Sequence, residues 1–232
     1  IESQQGQAGF PLNGSTDEAV TRLAAFLDGL DANPLTVSDG ADSLNRAEAT
    51  NAIKELVVTS PDKWPLLNEG LTQAMNAHDG TALMKNAGFL PGEGGPTATE
   101  AQIVEHLQSV YGFATNRCLD FPDSGNQASW DAALASYRRD YPVFHSLVPQ
   151  HNAYCHGWGH TGKTEPVDVD VDATNPVLVV GILHDPATPY PWSKALVSRL
   201  RNSHLLSVDM YGHGATGFNS CATAKVNDYF VK

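Results

Sequence analysis

Apolar residues recur at helical spacing through the first half of the chain, and short polar or Pro-containing stretches interrupt the recurrence. Ser15 or Thr16 can cap the first of these segments, and Asn33-Pro34 stops it. The spacing predicts helices over residues 15–33, about 45–58, 60–75 and 99–110. Residues 15–111 are therefore expected to form a helical block without a good strand.

The pattern changes after Gly112. Residues 177–183 (VLVVGIL) are continuously apolar and rich in β-branched side chains, which is typical of a strand covered on both faces of a parallel sheet. The other elements predicted here are a helix over Trp130, Leu134, Tyr137 and Tyr141, a helix with Trp192, Leu196 and Leu200 inward, a strand at 205–208 and a final helix around 222–230. The alternation of strand and helix predicts parallel strands joined by right-handed crossovers.

Two strands do not make a stable open sheet. The strand at 177–183 needs neighbours on both edges and helices on both faces, and the chain supplies too few strands for that. We therefore expect an α/β fold whose parallel sheet is incomplete in this chain, as if the sequence were the second half of a larger protein.

Composition excludes some classes of partner. The chain has 232 residues, and its 14 Lys and Arg against 26 Asp and Glu give a net charge of −12. This balance argues against nucleic acid or an anionic membrane surface, because both require a basic footprint. No window approaches 18 consecutive apolar residues, so we expect no membrane span.

The chain begins with Ile1 and shows no signal peptide, so we expect that processing removed one or that the chain starts inside a longer protein. Scarce Lys and abundant small polar residues suit a secreted or cell-envelope protein. The three Cys are an odd number, which in a secreted chain leaves one thiol free or paired outside the chain.

Polar residues that can carry chemistry follow both predicted strands. His184-Asp185 comes directly after the first strand, and Gly212-His213-Gly214 follows the second. Because ligands of open parallel sheets sit beyond the carboxyl ends of the strands, Asp185 and His213 can meet there. Asp185 would then accept the Nδ1–H of His213 and leave Nε2 free to take a proton from a nucleophile. The alternative is an ordinary turn opened by Asp-Pro and a flexible Gly-His-Gly loop.

A family resemblance rests on several of these segments. Residues 184–190 (HDPATPY) resemble the D-P-x-T-P acid loop of the α/β-hydrolases related to secreted bacterial tripeptidyl aminopeptidases, and Gly212-His213-Gly214 is similar to their histidine loop. Residues 219–230 are similar to their closing Cys-containing helix, and residues 117–120 (RCLD) and 154–158 (YCHGW) to their two earlier Cys segments. The helical region resembles their lid in layout, so the resemblance covers nearly the whole chain.

The resemblance implies a division of the chain and a function. Residues 1–112 would be a helical lid inserted in an α/β-hydrolase, and residues 113–232 the C-terminal part of its parallel sheet. Asp185 would be the acid and His213 the general base of a serine hydrolase that needs no cofactor and cleaves short peptides from a free N-terminus. An esterase or lipase of the same fold is an alternative, since fold and triad do not fix the substrate.

The nucleophile is the missing part of this assignment. In α/β-hydrolases the order along the chain is Ser, acid, His, with the Ser in G-x-S-x-G. None of the 15 serines stands in such a motif, and Ser193 follows a strand but comes after the acid. We therefore expect the Ser and the oxyanion hole to lie in an N-terminal half of the same hydrolase, and this chain alone to be inactive.

The resemblance also implies that Cys118 and Cys155 pair in a disulfide, with two buried thiols as the alternative, while Cys221 needs a partner elsewhere. An aminopeptidase must hold a free ammonium group, and a carboxylate does this by a charge-assisted hydrogen bond. Asp120 is a candidate for that substrate-binding role. It can equally be a residue of an Asx-turn or a helix cap.

A cluster of His residues raises the possibility of a metal. His156 and His160 are four positions apart, but Gly157 and Gly159 argue against a helix there and no Glu stands between them as in H-E-x-x-H. We expect no metal site, and a metal-dependent hydrolase built on these His residues remains an alternative. A third class is a non-catalytic helical binding module, in which Asp185 and His213 would have no reason to meet.

Overall fold

The computed structural model describes residues 4–7, 9–38, 43–58, 60–90, 100–121, 125–147, 149–159, 162 and 171–231. The chain divides into two compact units. The first, here called the helical unit, comprises Ile1–Ile53 and Asn68–Pro166. The second, the α/β unit, comprises Lys54–Leu67 and Val167–Lys232.

Helices dominate the described residues up to Trp158. They are α1 (Thr16–Ala32), α2 (Arg46–Val58), α3 (Trp64–Thr72), α4 (Thr81–Asn86), α5 (Glu100–Asp120), α6 (Gln127–Asp140) and α7 (Pro149–Trp158). Short 3₁₀ turns at Pro61–Lys63 and His145–Leu147 and one π turn at Gln73–Ala77 join some of them. None of the helices within the described part of the chain is long and apolar enough to cross a bilayer.

Helix α1 shows why the apolar spacing predicted these elements well. Ser15 caps it in a reciprocal capping box: its hydroxyl accepts the N–H of Glu18, and the Glu18 carboxylate accepts the N–H of Ser15 at 2.9 Å. The apolar stripe expected from the sequence is buried, with Leu23, Leu27 and Leu30 each at most 4% exposed. Cap and stripe together fix where the helix begins and which face it buries.

Three features of the helical unit were not predicted. Helix α4 is too short to leave a periodic pattern, and the two-residue strands β1 (Leu35–Thr36) and β2 (Ser43–Leu44) pair antiparallel within a block expected to hold no strand. Helix α5 continues to Asp120, so the division of the chain at residue 112, which stays a prediction, falls inside a helix.

Helix α7 corrects the expectation that Gly157 and Gly159 prevent a helix. Gly157 lies inside α7, and the helix ends at Trp158, just before Gly159 with a φ of 74°. A disulfide joins Cys118 of α5 to Cys155 of α7, with Cα atoms 5.2 Å apart. Both cysteines are buried, so the bond links the two helices two residues before Gly157, whose own helix propensity is low.

The α/β unit contains the parallel pair that the sequence predicts. Strands β3 (Val171–His184) and β4 (Leu200–Tyr211) are hydrogen-bonded in parallel register, with Ile182 opposite Val208, and α8 (Tyr190–Arg199) forms the crossover between them. Helix α9 (Ser220–Val231) follows, and its Ala222 packs with Ile182, Val208 and Ala215 in the core of this unit. The described sheet has two strands, so it is small and incomplete, as expected.

The inward face predicted for α8 is wrong. Trp192 is 63% exposed and Leu196 is 42% exposed, while Leu200 begins β4 instead of ending the helix. The helix packs on β3 through Tyr190 and Ser193, because Gly181 of β3 has no side chain: a Cβ built there would lie 2.8 Å from the Cβ of Ser193. Because this contact is made by a glycine, a Ser and a Tyr, no repeat of apolar residues marks it in the sequence.

Candidate active site

The carboxyl ends of β3 and β4 bring an acid and an imidazole together. Asp185 follows the last residue of β3, and His213 follows β4 after Gly212. The Nδ1 atom of His213 lies 2.9 Å from Oδ2 and 3.1 Å from Oδ1 of Asp185. The two side chains are therefore in direct hydrogen-bond contact at the edge of the sheet where ligands of parallel sheets bind.

A tight loop after β3 fixes the Asp185 carboxylate. Oδ1 accepts the backbone N–H groups of Ala187 at 2.8 Å and Thr188 at 3.0 Å, and Oδ2 accepts the Thr188 hydroxyl at 2.8 Å. The Asp185 side chain is 4% exposed. With the His213 ring added, four donors occupy the four lone-pair positions of the carboxylate, so its orientation is fully determined.

Electrostatics keep this carboxylate ionised. Burial by itself raises the pKa of the Asp185 carboxyl, but the hydrogen bonds from the Thr188 backbone N–H, from His213, from the Thr188 hydroxyl and from the Ala187 N–H outweigh it and bring the pKa below its ordinary value. An ionised acceptor requires a proton on the facing ring nitrogen. His213 therefore carries its proton on Nδ1 and presents Nε2 as the basic atom.

The loop after β4 presents the His213 ring to solvent. Gly212 and Gly214 have φ of 104° and 88°, a backbone region that side chains other than glycine rarely enter. The turn leaves the His213 side chain 47% exposed while Nδ1 stays on the carboxylate. Nε2 makes no hydrogen bond to any residue that the structure describes, so it is open to a proton donor.

The C-terminal part of the chain matches a known protein family. Residues 141–232 match the family model described as TAP-like protein, and the match contains both strands, Asp185 and His213. This segment belongs to the TAP-like family of α/β-hydrolases. The matched segment thus has the features of the C-terminal part of an α/β-hydrolase.

Relatives of the TAP-like segment include both esterase and peptidase names. Carboxylesterase B of Mycobacterium tuberculosis is 27% identical over 227 residues, which are 95% of this chain and 41% of that protein. The tripeptidyl aminopeptidase of Streptomyces lividans is 32% identical over 117 residues, 49% of this chain and 22% of that protein. That of Streptomyces coelicolor is 32% identical over 117 residues, 49% of this chain and 21% of that protein.

The chain spans about two fifths, or less, of the length of these relatives. No solved structure is a significant match to it. The family assignment therefore rests on the TAP-like segment and on the sequence relatives.

Other residues singled out from the sequence lie apart from the acid and the imidazole along the chain. Asp120 is the exposed last residue of α5 in the helical unit. Ser193 packs on Gly181 in the α/β unit, and Cys221 is an exposed free thiol at the start of α9. Within the described α/β unit, neither Ser193 nor Cys221 makes a hydrogen bond to Asp185 or His213.

The proposed metal pair cannot be assembled from the described chain. His156 lies in α7 with its ring 5.0 Å from that of Trp130, whereas His160 falls outside the described residues. No group of three His, Cys, Asp or Glu side chains suited to a metal ion occurs among the residues described.

Two parts of the TAP-like segment were missed from the sequence. Thr188 donates to the acid both by its hydroxyl and by its backbone N–H, and its place in the D-P-x-T-P motif was a signal that went unused. A second imidazole and carboxylate pair, His184 with Asp209, lies at the end of the same two strands. The sequence carries no clear signal for this pair, because it depends on the register of β3 against β4.

Proposed function

We propose that this chain supplies the acid, the base and the lid of a serine hydrolase that cleaves short peptides from a free N-terminus. The observation that carries the proposal is the hydrogen bond between Asp185 and the Nδ1 atom of His213. A Ser hydroxyl attacks the scissile carbonyl, and Nε2 of His213 takes its proton and returns it to the leaving amine. Asp185 holds the tautomer and stabilises the imidazolium. Water then releases the acyl group by the same route.

The nucleophile and the oxyanion hole belong, in this proposal, to an N-terminal half of the same hydrolase. Two facts support it: none of the 15 serines lies in a G-x-S-x-G turn, and the sequence relatives are more than twice as long as the matched region. Without the attacking hydroxyl and the oxyanion donors, the proton relay has nothing to act on. This chain by itself is therefore expected to be inactive.

The helical part is proposed to act as the lid that restricts the site to short peptides, with residues 1–112 as its extent. We also propose a secreted or cell-envelope location. The disulfide between Cys118 and Cys155 supports that location, because such bonds persist in oxidising compartments.

An esterase activity is the second candidate. The relative that covers 95% of this chain is named a carboxylesterase, whereas the aminopeptidases match 49% of it. The same acid, base and acyl-enzyme chemistry serves an ester as well as an amide, so the pair of residues does not separate the two.

An active-site label tests the proposal. A native preparation is treated with a fluorophosphonate probe and its polypeptides are weighed by mass spectrometry. We expect the label on a Ser outside the 232 residues, and loss of labelling in the His213→Ala protein. A label on a Ser inside this chain overturns the account of the nucleophile, and no label at all favours a non-catalytic binding module. Rates on a tripeptide anilide and a short acyl ester then separate peptidase from esterase.

A further inference from the structure

Four side chains of the α/β unit form a cluster beside the proposed catalytic pair. The His184 and Tyr211 rings stack with centroids 4.3 Å apart and 14° between their planes. Trp64 meets the Tyr211 ring edge-on at 5.4 Å. The Nε2 atom of His184 lies 3.1 Å from Oδ1 of Asp209. We call these four residues the ammonium cluster, for the reason given below.

Strand geometry places the cluster at the same end of the sheet as the catalytic pair. His184 is opposite Tyr211 in the parallel register, and Asp185 is the next residue after His184. Val208 and Met210 pack in the core of the unit, so the exposed Asp209 and Tyr211 lie on the opposite face of β4. On that face, the hydroxyl of Tyr190 in α8 and the hydroxyl of Ser207, two residues before Asp209, are hydrogen-bonded at 2.7 Å. No hydrogen bond between described residues joins α8 to Asp209.

The carboxylate of the cluster is oriented but not saturated. The Asp209 side chain is 79% exposed, and its only described partner is His184 at Oδ1. Oδ2 makes no hydrogen bond within the described part of the chain. The neighbouring Tyr211 ring is 51% exposed and is held between His184 and Trp64. A fixed carboxylate oxygen beside a braced aromatic ring is the combination that binds a primary ammonium group, by a charge-assisted hydrogen bond and a cation–π contact.

We propose that Asp209 and Tyr211 bind the ammonium group at the N-terminus of the peptide substrate, with His184 and Trp64 as positioning residues. The inference rests on the proposed function and names its specificity site. Asp209 is four residues before His213, so their Cα atoms are at most about 14 Å apart. Two or three extended substrate residues span about 7–11 Å, which fits a short peptide reaching from the scissile bond to Asp209.

The experiment compares four substrates on the enzyme completed by its nucleophile-bearing half. They are a tripeptide anilide with a free N-terminus, the same anilide acetylated at the N-terminus, the acetylated anilide with a Lys at the first position, and a short acyl ester. Asp209→Asn is the test variant. Asp172→Asn is the matched control, since Asp172 is also an exposed β-strand carboxylate with one described side-chain partner, Arg201.

We expect Asp209→Asn to lower kcat/KM on the free tripeptide about 10- to 100-fold, mainly through KM, and to leave the acetylated tripeptide and the ester unchanged. Asp172→Asn should change none of the four. Equal losses on free and acetylated peptides, or no loss, overturn the inference. If the Lys side chain restores cleavage of the acetylated peptide, the cluster binds an ammonium group, but the proposed restriction to the N-terminal ammonium is overturned. If the wild-type enzyme cleaves the ester and neither peptide, the peptidase proposal itself fails.

Discussion

The two units of this protein differ in how deeply their best-buried side chains lie. In the helical unit Leu27 and Leu30 are at most 2% exposed, as the helical spacing predicts. In the α/β unit Trp192, Phe218 and Phe230 are 63%, 71% and 77% exposed. The largest fully buried side chains of the described residues all lie in the helical unit, whereas both units expose some large apolar rings, such as Phe113 at 69% in the helical unit. The helical unit therefore has the more deeply buried core, and exposed rings alone do not distinguish the two units.

The largest expected effect shows which of the two units carries the catalytic residues. In the completed enzyme, His213→Ala should reduce kcat by about 10⁴-fold or more, because the nucleophile loses its base. Asp120→Asn, the carboxylate proposed from the sequence in the helical unit, should cost less than about threefold if Asp209 binds the substrate ammonium group. Steady-state rates on the free tripeptide measure both. A large effect of Asp120→Asn contradicts the placement of substrate binding in the α/β unit.

The disulfide lies in the helical unit, so its loss should lower the stability of that unit more than that of the α/β unit. Replacing Cys118 and Cys155 by Ala should lower the free energy of unfolding of the helical unit by about 3–4 kcal/mol, because the unfolded chain regains the freedom of a 37-residue loop. The α/β unit should hardly respond. Hydrogen exchange read separately for the two units checks this, with Cys221→Ser as the control. Equal loss of protection in both units would show that they unfold together.

A pair of truncations tests the buried and the exposed apolar side chains. Leu27→Ala should cost about 2–4 kcal/mol, since it leaves a cavity in a closed core. Trp192→Ala in this chain alone should cost less than about 1 kcal/mol, because most of the ring is already in water. Urea unfolding measures both, and Leu196→Ala is a second exposed position for comparison. A cost of several kcal/mol for Trp192→Ala in the isolated chain would contradict the exposed surface.

An effect smaller than that of Leu27→Ala, and dependent on pH, is expected in the acid loop. Thr188→Val removes one donor from the buried Asp185 carboxylate and so raises its pKa toward the ordinary value. The folded-state pKa is depressed, so this carboxylate stabilises the fold above the unfolded pKa of about 4, and the contribution is lost as the pH falls through the folded pKa. We expect Thr188→Val to cost about 1–2 kcal/mol at pH 6 and progressively less below pH 4. Unfolding curves from pH 3 to 7 check this. Thr188→Ser, which keeps the hydroxyl, should behave as the native chain.

The features that the sequence predicts correctly are those marked by residues close to one another along the chain. The helices were visible because Ser15 caps one and Leu23, Leu27 and Leu30 repeat every turn. The approach of Asp185 to His213 followed from two strands that end at the same edge. These inferences need only the chain on either side of each residue.

The features that could not be predicted depend on contacts between distant residues. The inward face of α8 is set by Gly181, a residue on another element, and not by the apolar period that points to Trp192 and Leu196. The pairing of His184 with Asp209 depends on the register of β3 against β4, which the sequence does not specify. Helix α7 includes Gly157 although glycine has a low helix propensity, which the local sequence does not predict.

The close approach at Gly181 has a consequence for the catalytic carboxylate. Helix α8 starts directly after Thr188 and Pro189. The loop that orients Asp185 therefore joins β3 to a helix whose distance from the strand is set by the absence of a Cβ at Gly181. Any side chain at Gly181 therefore forces β3 or α8 to shift. We expect such a shift to disturb the donors at Ala187 and Thr188, so the orientation of the acid depends on a glycine three residues before the end of β3.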